Sequence, residues 1–140
     1  MMNEFDIMNI SASGMSANRL RIDVISNNIA NAETTRTPEG GPYRRKVPIF
    51  AEYLKRSGLG YKPSGVAVVK IAEDPSPFRL VYDPSHPDAD ENGYVKMPNV
   101  NVLREMVDLI NAQRAYEANV SAFNTVKAMI NSALQIGRGG

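Results

Sequence analysis

All nine prolines of this 140-residue chain lie between positions 38 and 98, and their placement constrains the fold more than any other feature. Thirty-seven proline-free residues precede Pro38 and forty-two follow Pro98. An interior proline costs a helix about 3 kcal/mol through a lost hydrogen bond and a ring clash, so only the two ends are open to long helices. Six of the ten glycines and seven of the ten Phe and Tyr residues fall in the proline-bearing middle, a mixture of turn formers and strand formers. The expected class is α+β. Long N- and C-terminal helices pack as a coiled-coil-like inner unit, and a small central β unit is inserted between them. The expected divisions are 1–34, 35–98 and 99–140.

Composition removes most chemistry. Sixteen Lys and Arg against fifteen Asp and Glu leave a net charge of +1, so no global field points to nucleic acid or an anionic membrane. The absence of Cys excludes disulfides, Cys-bearing metal sites and thiol catalysis, and the single His86 cannot build a His-rich metal site. The expectation is a non-enzymatic chain with no catalytic residue, no cofactor, no metal and no small-molecule substrate. No run reaches the eighteen or so apolar residues of a membrane span. Glu4 and Asp6 stand where a secretory signal wants positive charge, so export, if it occurs, is expected without a cleaved signal.

The C-terminal segment carries the stronger periodicity. Val102, Met106, Leu109, Gln113, Tyr116, Val120, Phe123, Lys127, Ile130 and Leu134 follow an alternating 4,3 spacing, and eight of these ten are apolar. That is a 3.5-residue seam, flanked by Leu103, Val107, Ile110, Val126 and Met129. Asn99 or Asn101 can cap its start, and Gly137 and Gly139 mark its end. A helix from Val102 to Gly137 spans about 50 Å, more than a small globule needs. The N-terminal seam, Met8, Ser11, Met15, Asn18, Ile22, Ile25, Ile29 and Ala32, is weaker, with Leu20 and Val24 on a second face. Its Ser, Gly and Asn residues give little intrinsic helix stability, so packing must order it. A two-helix hairpin leaves an apolar face of each helix uncovered, which self-assembly would cover. Four short strands are expected, over Tyr43–Phe50, Val66–Ala72, Phe78–Tyr82 and Tyr94–Met97.

Three local features invite functional readings, each with a plainer alternative. Asp88-Ala89-Asp90-Glu91-Asn92-Gly93 opens like a calcium-binding EF loop, but its twelfth position is Asn99 rather than Glu, and Pro84 and Pro87 forbid the entering helix. A polar turn leading into a strand is the better reading. His86 lies between two prolines and reads as a loop histidine. Arg44-Arg45-Lys46 is short for a nucleic-acid patch and reads as a charged strand edge. The run Ser26 to Asn31 is odd in a helical stripe: it is either a fraying helix end or a set of amides bonding across a packed interface.

Ser26-Asn27-Asn28-Ile29-Ala30-Asn31-Ala32 and Ala112-Gln113-Arg114-Ala115-Tyr116-Glu117-Ala118-Asn119 resemble the paired terminal motifs of bacterial flagellar axial proteins. The middle stretches Thr35–Lys46 and Tyr82–Val95 look like those of a proximal-rod member of the flagellar basal-body rod family. The resemblance implies terminal helices joined in an inner domain, a β domain outside it, uncleaved export by the flagellar type III apparatus, and polymerisation beneath the hook. The implied partners are copies of the chain, other proximal and distal rod proteins and the rod–rotor junction protein, in a periplasm-spanning shaft. Asn27, Asn28, Asn31, Arg114, Tyr116 and Asn119 are the assembly-interface candidates carried over from the motifs. The seam residues Ile29, Met106, Leu109, Val120, Phe123 and Ile130 join them.

Overall fold

A computed structural model describes residues 4–139. Its elements run α1 (Glu4–Ala30), β1 (Lys46–Ser57), β2 (Gly60–Glu73), β3 (Arg79–Tyr82), β4 (Tyr94–Met97) and α2 (Val102–Arg138). Both proline-free ends are helical, and the proline-bearing middle holds all the strands. The α+β class expected from the proline distribution is the class observed.

Each helix starts on polar chemistry. Glu4 and Asp6 occupy the first turn of α1, where the helix dipole favours negative charge. At α2 it is Asn101 that caps, its Oδ1 accepting from the Arg104 N–H at 3.1 Å. The helix runs through Gly137 and stops at Gly139, whose N–H reaches the Gln135 carbonyl.

The two helices pair antiparallel. Gly14 faces Asn119 toward the middle of both helices and Asn28 bonds Glu105 near the end of α1, so a step of 14 residues along α1 is matched by an equal step back along α2. Gly14 makes room there: a Cβ would stand 2.9 Å from the Asn119 carboxamide oxygen, and that side chain would have to shift. The same register sets Ala30 opposite Leu103 and Glu4 opposite Met129. Beyond that point Ile130–Arg138 of α2 extends past the described start of α1.

The inward seam of α2 departs from the expected one in half of its positions. Leu109, Tyr116, Phe123 and Ile130 are partly buried as expected. Between them, however, Glu105, Ala112 and Val126 are buried in place of Met106, Gln113 and Lys127, and Asn119 and Val120 are both partly buried. Ala112 is wholly buried and Glu105 is 1% exposed, while Met106 is 47% exposed. Ala112 is small enough to let α1 approach, and Glu105 and Asn119 are polar, so a hydrophobicity count scores all three poorly.

The strands form two separate antiparallel ribbons, β1–β2 and β3–β4, rather than one sheet. β1 and β2 are longer than expected, reaching 12 and 14 residues. Gly58-Leu59 closes them with positive φ at the first loop residue only, the pattern of a II′ hairpin turn. Pro48 and Pro63 sit inside these strands. A two-stranded ribbon has only edge strands, so each proline can turn its missing N–H away from the partner.

The long ribbon lies along α1. Ser13 Oγ accepts from the Val66 N–H at 3.0 Å, and Lys62 Nζ reaches Asp6 at 2.9 Å. Gly65, at φ 118°, brings the strand so close that a Cβ would meet Ser13 Oγ at 2.2 Å. Val24, expected on a second, uncovered face, is therefore buried within the chain, in a cleft it shares with Lys46 and Ile71. The outer side of α2 stays open, with Leu103, Met106, Val107 and Ile110 exposed.

Candidate assembly interface

Where α1, α2 and the two strand ribbons converge, the chain builds a polar hub. Asn28, 1% exposed, is its centre. Its Oδ1 accepts from the Tyr43 hydroxyl at 2.7 Å and the Lys46 N–H at 3.0 Å. Its Nδ2 donates to the Lys46 carbonyl at 2.8 Å and to Glu105 Oε2 at 3.2 Å. All four hydrogen-bonding positions of this carboxamide are used, which offsets the cost of burying it. Asn27 adds a long bond to the Tyr43 hydroxyl at 3.4 Å.

Arg45 is the second member. Its Nε donates to Glu105 Oε1, and one terminal nitrogen lies 3.1 Å from Asp74 Oδ2. Its backbone N–H is taken by Asn99 Oδ1 at 2.7 Å. The Asn99 amide in turn donates to the carbonyls of Asp74 and Ser76, both at 3.1 Å. Arg44 reaches those two carbonyls at 2.9 Å and lays its guanidinium 4.2 Å from the centre of the Phe78 ring. The three basic residues thus tie the ribbons to the helices; the charged strand edge expected of them is not what they form.

The electrostatics follow from the geometry. Burial pushes the Tyr43 hydroxyl above its ordinary pKa, and the Glu105 charge adds to the rise. Burial opposes charge on Arg45, but the bond to Glu105 and the pairing with Asp74 outweigh it and hold the guanidinium more firmly protonated. The Ser76 hydroxyl and N–H, with Arg45 behind them, hold Asp74 below the ordinary carboxylate value. Among the described residues no buried side-chain nitrogen or oxygen lacks a partner.

The loop after β3 is pinned nearby. Asp88 accepts from the Thr35 hydroxyl at 2.6 Å and from Arg36 Nε at 2.7 Å, which depress its pKa in that order. Asp90 accepts from the backbone N–H groups of Asn92 and Tyr94 at 2.9 and 2.8 Å. The resemblance to a calcium loop thus resolves into turn chemistry: Gly93, at φ 84°, delivers the chain into β4. His86 is half-buried, its Nδ1 accepting from the Asp88 N–H at 3.0 Å. Among the described residues no group of three or more His, Cys, Asp or Glu is placed to hold a metal ion.

The interface candidates divide into inward and outward sets. Asn28 is spent inside the hub, and Asn31 folds back on Asn27, donating to its carbonyl at 2.9 Å. Asn119 donates to the Ala115 carbonyl at 2.9 Å and sits against Gly14 at the helix crossing. Leu109, Tyr116, Phe123 and Ile130 are half-buried on the seam, as Ile29 is on α1, and Val120 is half-buried beside it. Asn27, Met106 and Arg114 are exposed. Sequence reasoning missed Tyr43, Arg45, Asp74, Asn99 and Glu105 as a group. Glu105 resembles an ordinary first-turn acid, and only its position on the inward seam, four residues before Leu109, marks it.

Comparison with known proteins places these features in a family context. Residues 8–36 match the family described as "Flagella basal body rod protein", and residues 91–136 match "Flagellar basal body rod FlgEFG protein C-terminal". The hub draws Asn28 from the first match and Asn99 and Glu105 from the second. Tyr43, Arg45 and Asp74 come from the chain between them. The chain is 49% identical to the flagellar basal-body rod protein FlgC of Borreliella burgdorferi, over 99% of this chain and 100% of that protein. It is 48% identical to FlgC of Bacillus subtilis, over 98% and 100%. It is 41% identical to FlgC of Salmonella typhimurium, over 95% and 97%.

Proposed function

This chain belongs to the FlgC family of flagellar basal-body rod proteins, and from that premise we propose that it works by packing, as one repeating element of a rotating shaft. It is a structural subunit of the proximal rod of the flagellar basal body. The observation that carries this is similarity along nearly the whole length of both chains, middle included, rather than at the terminal motifs alone.

The proposal assigns a division of labour. The hub and the Gly14 crossing hold the subunit's own helices in register. The outward residues of α2, among them Leu103, Met106, Val107 and Ile110, face neighbouring subunits. Burial at about 25 cal/mol per Å² along so long a helix supplies cohesion. Asn27 and Arg114 contribute polar contacts that fix which neighbour fits. Partners in this reading are copies of the chain, the other proximal and distal rod proteins and the rod–rotor junction protein. The rod crosses the periplasm, and the subunit reaches it through the flagellar type III apparatus without a cleaved signal.

The test is electron microscopy of basal bodies from a strain lacking this chain. Rods should be absent and should return with the parent chain. Intact rods in the deletion strain would overturn the assignment.

A further inference from the structure

The near-zero net charge conceals a strong segregation. Residues 46–73, the long ribbon, carry five Lys or Arg and two Asp or Glu, a net +3. Residues 74–97, which follow and include β3 and β4, carry Arg79 and Lys96 against five Asp or Glu, a net −3. The tip of the ribbon and the acidic segment are held toward opposite ends of the molecule. Lys62, Asp74 and Asp88 are already paired with Asp6, Arg45 and Arg36. The contrast that faces a neighbour is therefore carried by Lys55 and Arg56 at the tip and by Asp83, Asp90 and Glu91 at the other end. The ribbon's far end lies beside the first turns of α1, where Lys62 meets Asp6. The acidic segment is anchored beyond the other end of α1, where Thr35 and Arg36 bond Asp88. The intervening 24 residues from Asp6 to Ala30 rise about 36 Å.

Both regions expose apolar and aromatic side chains. At the ribbon tip Tyr53, Leu59 and Tyr61 are exposed beside Lys55 and Arg56, and Leu59 is fully extended into solvent. Lys55 lies directly across the ladder from Lys62, a like-charge pairing that weakens an isolated ribbon. At the acidic end Leu80, Tyr82 and Tyr94 are exposed beside Asp90 and Glu91, with the two tyrosine rings edge to face at 5.3 Å. Tyr and Arg in such settings are the residue types that anchor interfaces. The two surfaces cannot meet within one chain.

We propose that they meet between copies: the basic ribbon tip of one subunit seats on the acidic β3–β4 end of the next. The patches differ, so the contact is head-to-tail and repeats rather than closing into a dimer. Opposite charge steers the encounter and sets its direction, and the tyrosines and leucines supply the buried centre. The inference rests on the rod-subunit reading and names one contact within it.

The chain has no cysteine of its own, which makes the test direct. Full-length Leu59→Cys and Glu91→Cys proteins, each checked for unchanged helicity, are mixed and oxidised. The mixed disulfide should exceed either self-linked product by about tenfold, the factor that about 1.4 kcal/mol of preference carries. Adding Lys55→Glu and Arg56→Glu to the Leu59→Cys chain should remove that excess, and raising the salt should shrink it. Equal self-linking of Leu59→Cys, or a mixed product indifferent to charge reversal, would overturn the contact. Complementation of the deletion strain separates the two claims. Swimming restored by the charge-reversed ribbon would overturn the head-to-tail contact while leaving the chain a rod subunit.

Discussion

Replacing Arg45 by Ala tests the hub at its most exposed weakness. Glu105 is 1% exposed at its side chain, and Arg45, 22% exposed, is the cation bonded to it. Removing one partner of a buried ion pair costs about 3–5 kcal/mol, because the other charge is left without compensation. Asn28 still donates to Glu105 Oε2 at 3.2 Å, so the lower end, about 3 kcal/mol, applies here. With a urea dependence of about 1–3 kcal/mol per molar, the unfolding midpoint followed by far-UV circular dichroism should fall by roughly 1–3 M. Adding Glu105→Gln removes the stranded charge while keeping the side chain's shape and an acceptor for Asn28. It should restore about half of the loss or more. If Arg45→Ala stays within about 1 kcal/mol of the parent, or if Glu105→Gln restores nothing, the charge of Glu105 is not what Arg45 holds in place.

The helix crossing gives a second test. Gly14→Ala would ordinarily stabilise a helix by about 1 kcal/mol, but here the new Cβ meets Asn119, so thermal melts should show no gain until Asn119→Ala is added. Acid provides a third. Asp74 and Asp88 both sit below their ordinary pKa of 3.8 when folded, so their contribution is present above that value and lost as pH falls through the depressed folded one. Stability measured across this range should decline at low pH, and Asp74→Asn should flatten the decline. Hydrogen exchange provides a fourth: in the isolated chain Ile130–Arg138 should exchange faster than Glu105–Val126, since the register leaves it without a partner on the described part of α1. Equal protection of the two stretches would refute that register.

The coarse architecture was legible because proline placement is a backbone constraint that tertiary context cannot override: both helices and the interposed strands follow from it. The seam of α2 was legible only at alternate positions. Leu109, Tyr116, Phe123 and Ile130 declare themselves by hydrophobicity, whereas Ala112 and Asn119 are inward because α1 comes close at Gly14, a pairwise fact that one helix's periodicity does not carry. The amide run of α1 was legible as an anomaly. Its explanation needed Tyr43, Lys46 and Glu105, the last 77 positions away from Asn28. The two ribbons were foreseen as four short strands. The length of the first pair depends on Gly58-Leu59 closing a tight turn and on strands with no second neighbour to object to Pro48 and Pro63.

The separation between Asn28 and Glu105 also bears on the order in which the chain can fold. Closing a loop of 77 residues costs roughly 4 kcal/mol of chain entropy by the logarithmic rule, before any contact inside it repays that cost. Arg45 and Asn99, 54 positions apart, close a second long loop on the same point. Neither closure can begin until the chain from Asn99 onward is present, so a chain lacking its last third leaves Asn28 only Tyr43 and Lys46 to bond and Arg45 only Asp74. The ribbon and its contacts with α1 can form without the C-terminal third, but the hub should close only once that third is present, and more slowly than contacts local in sequence form.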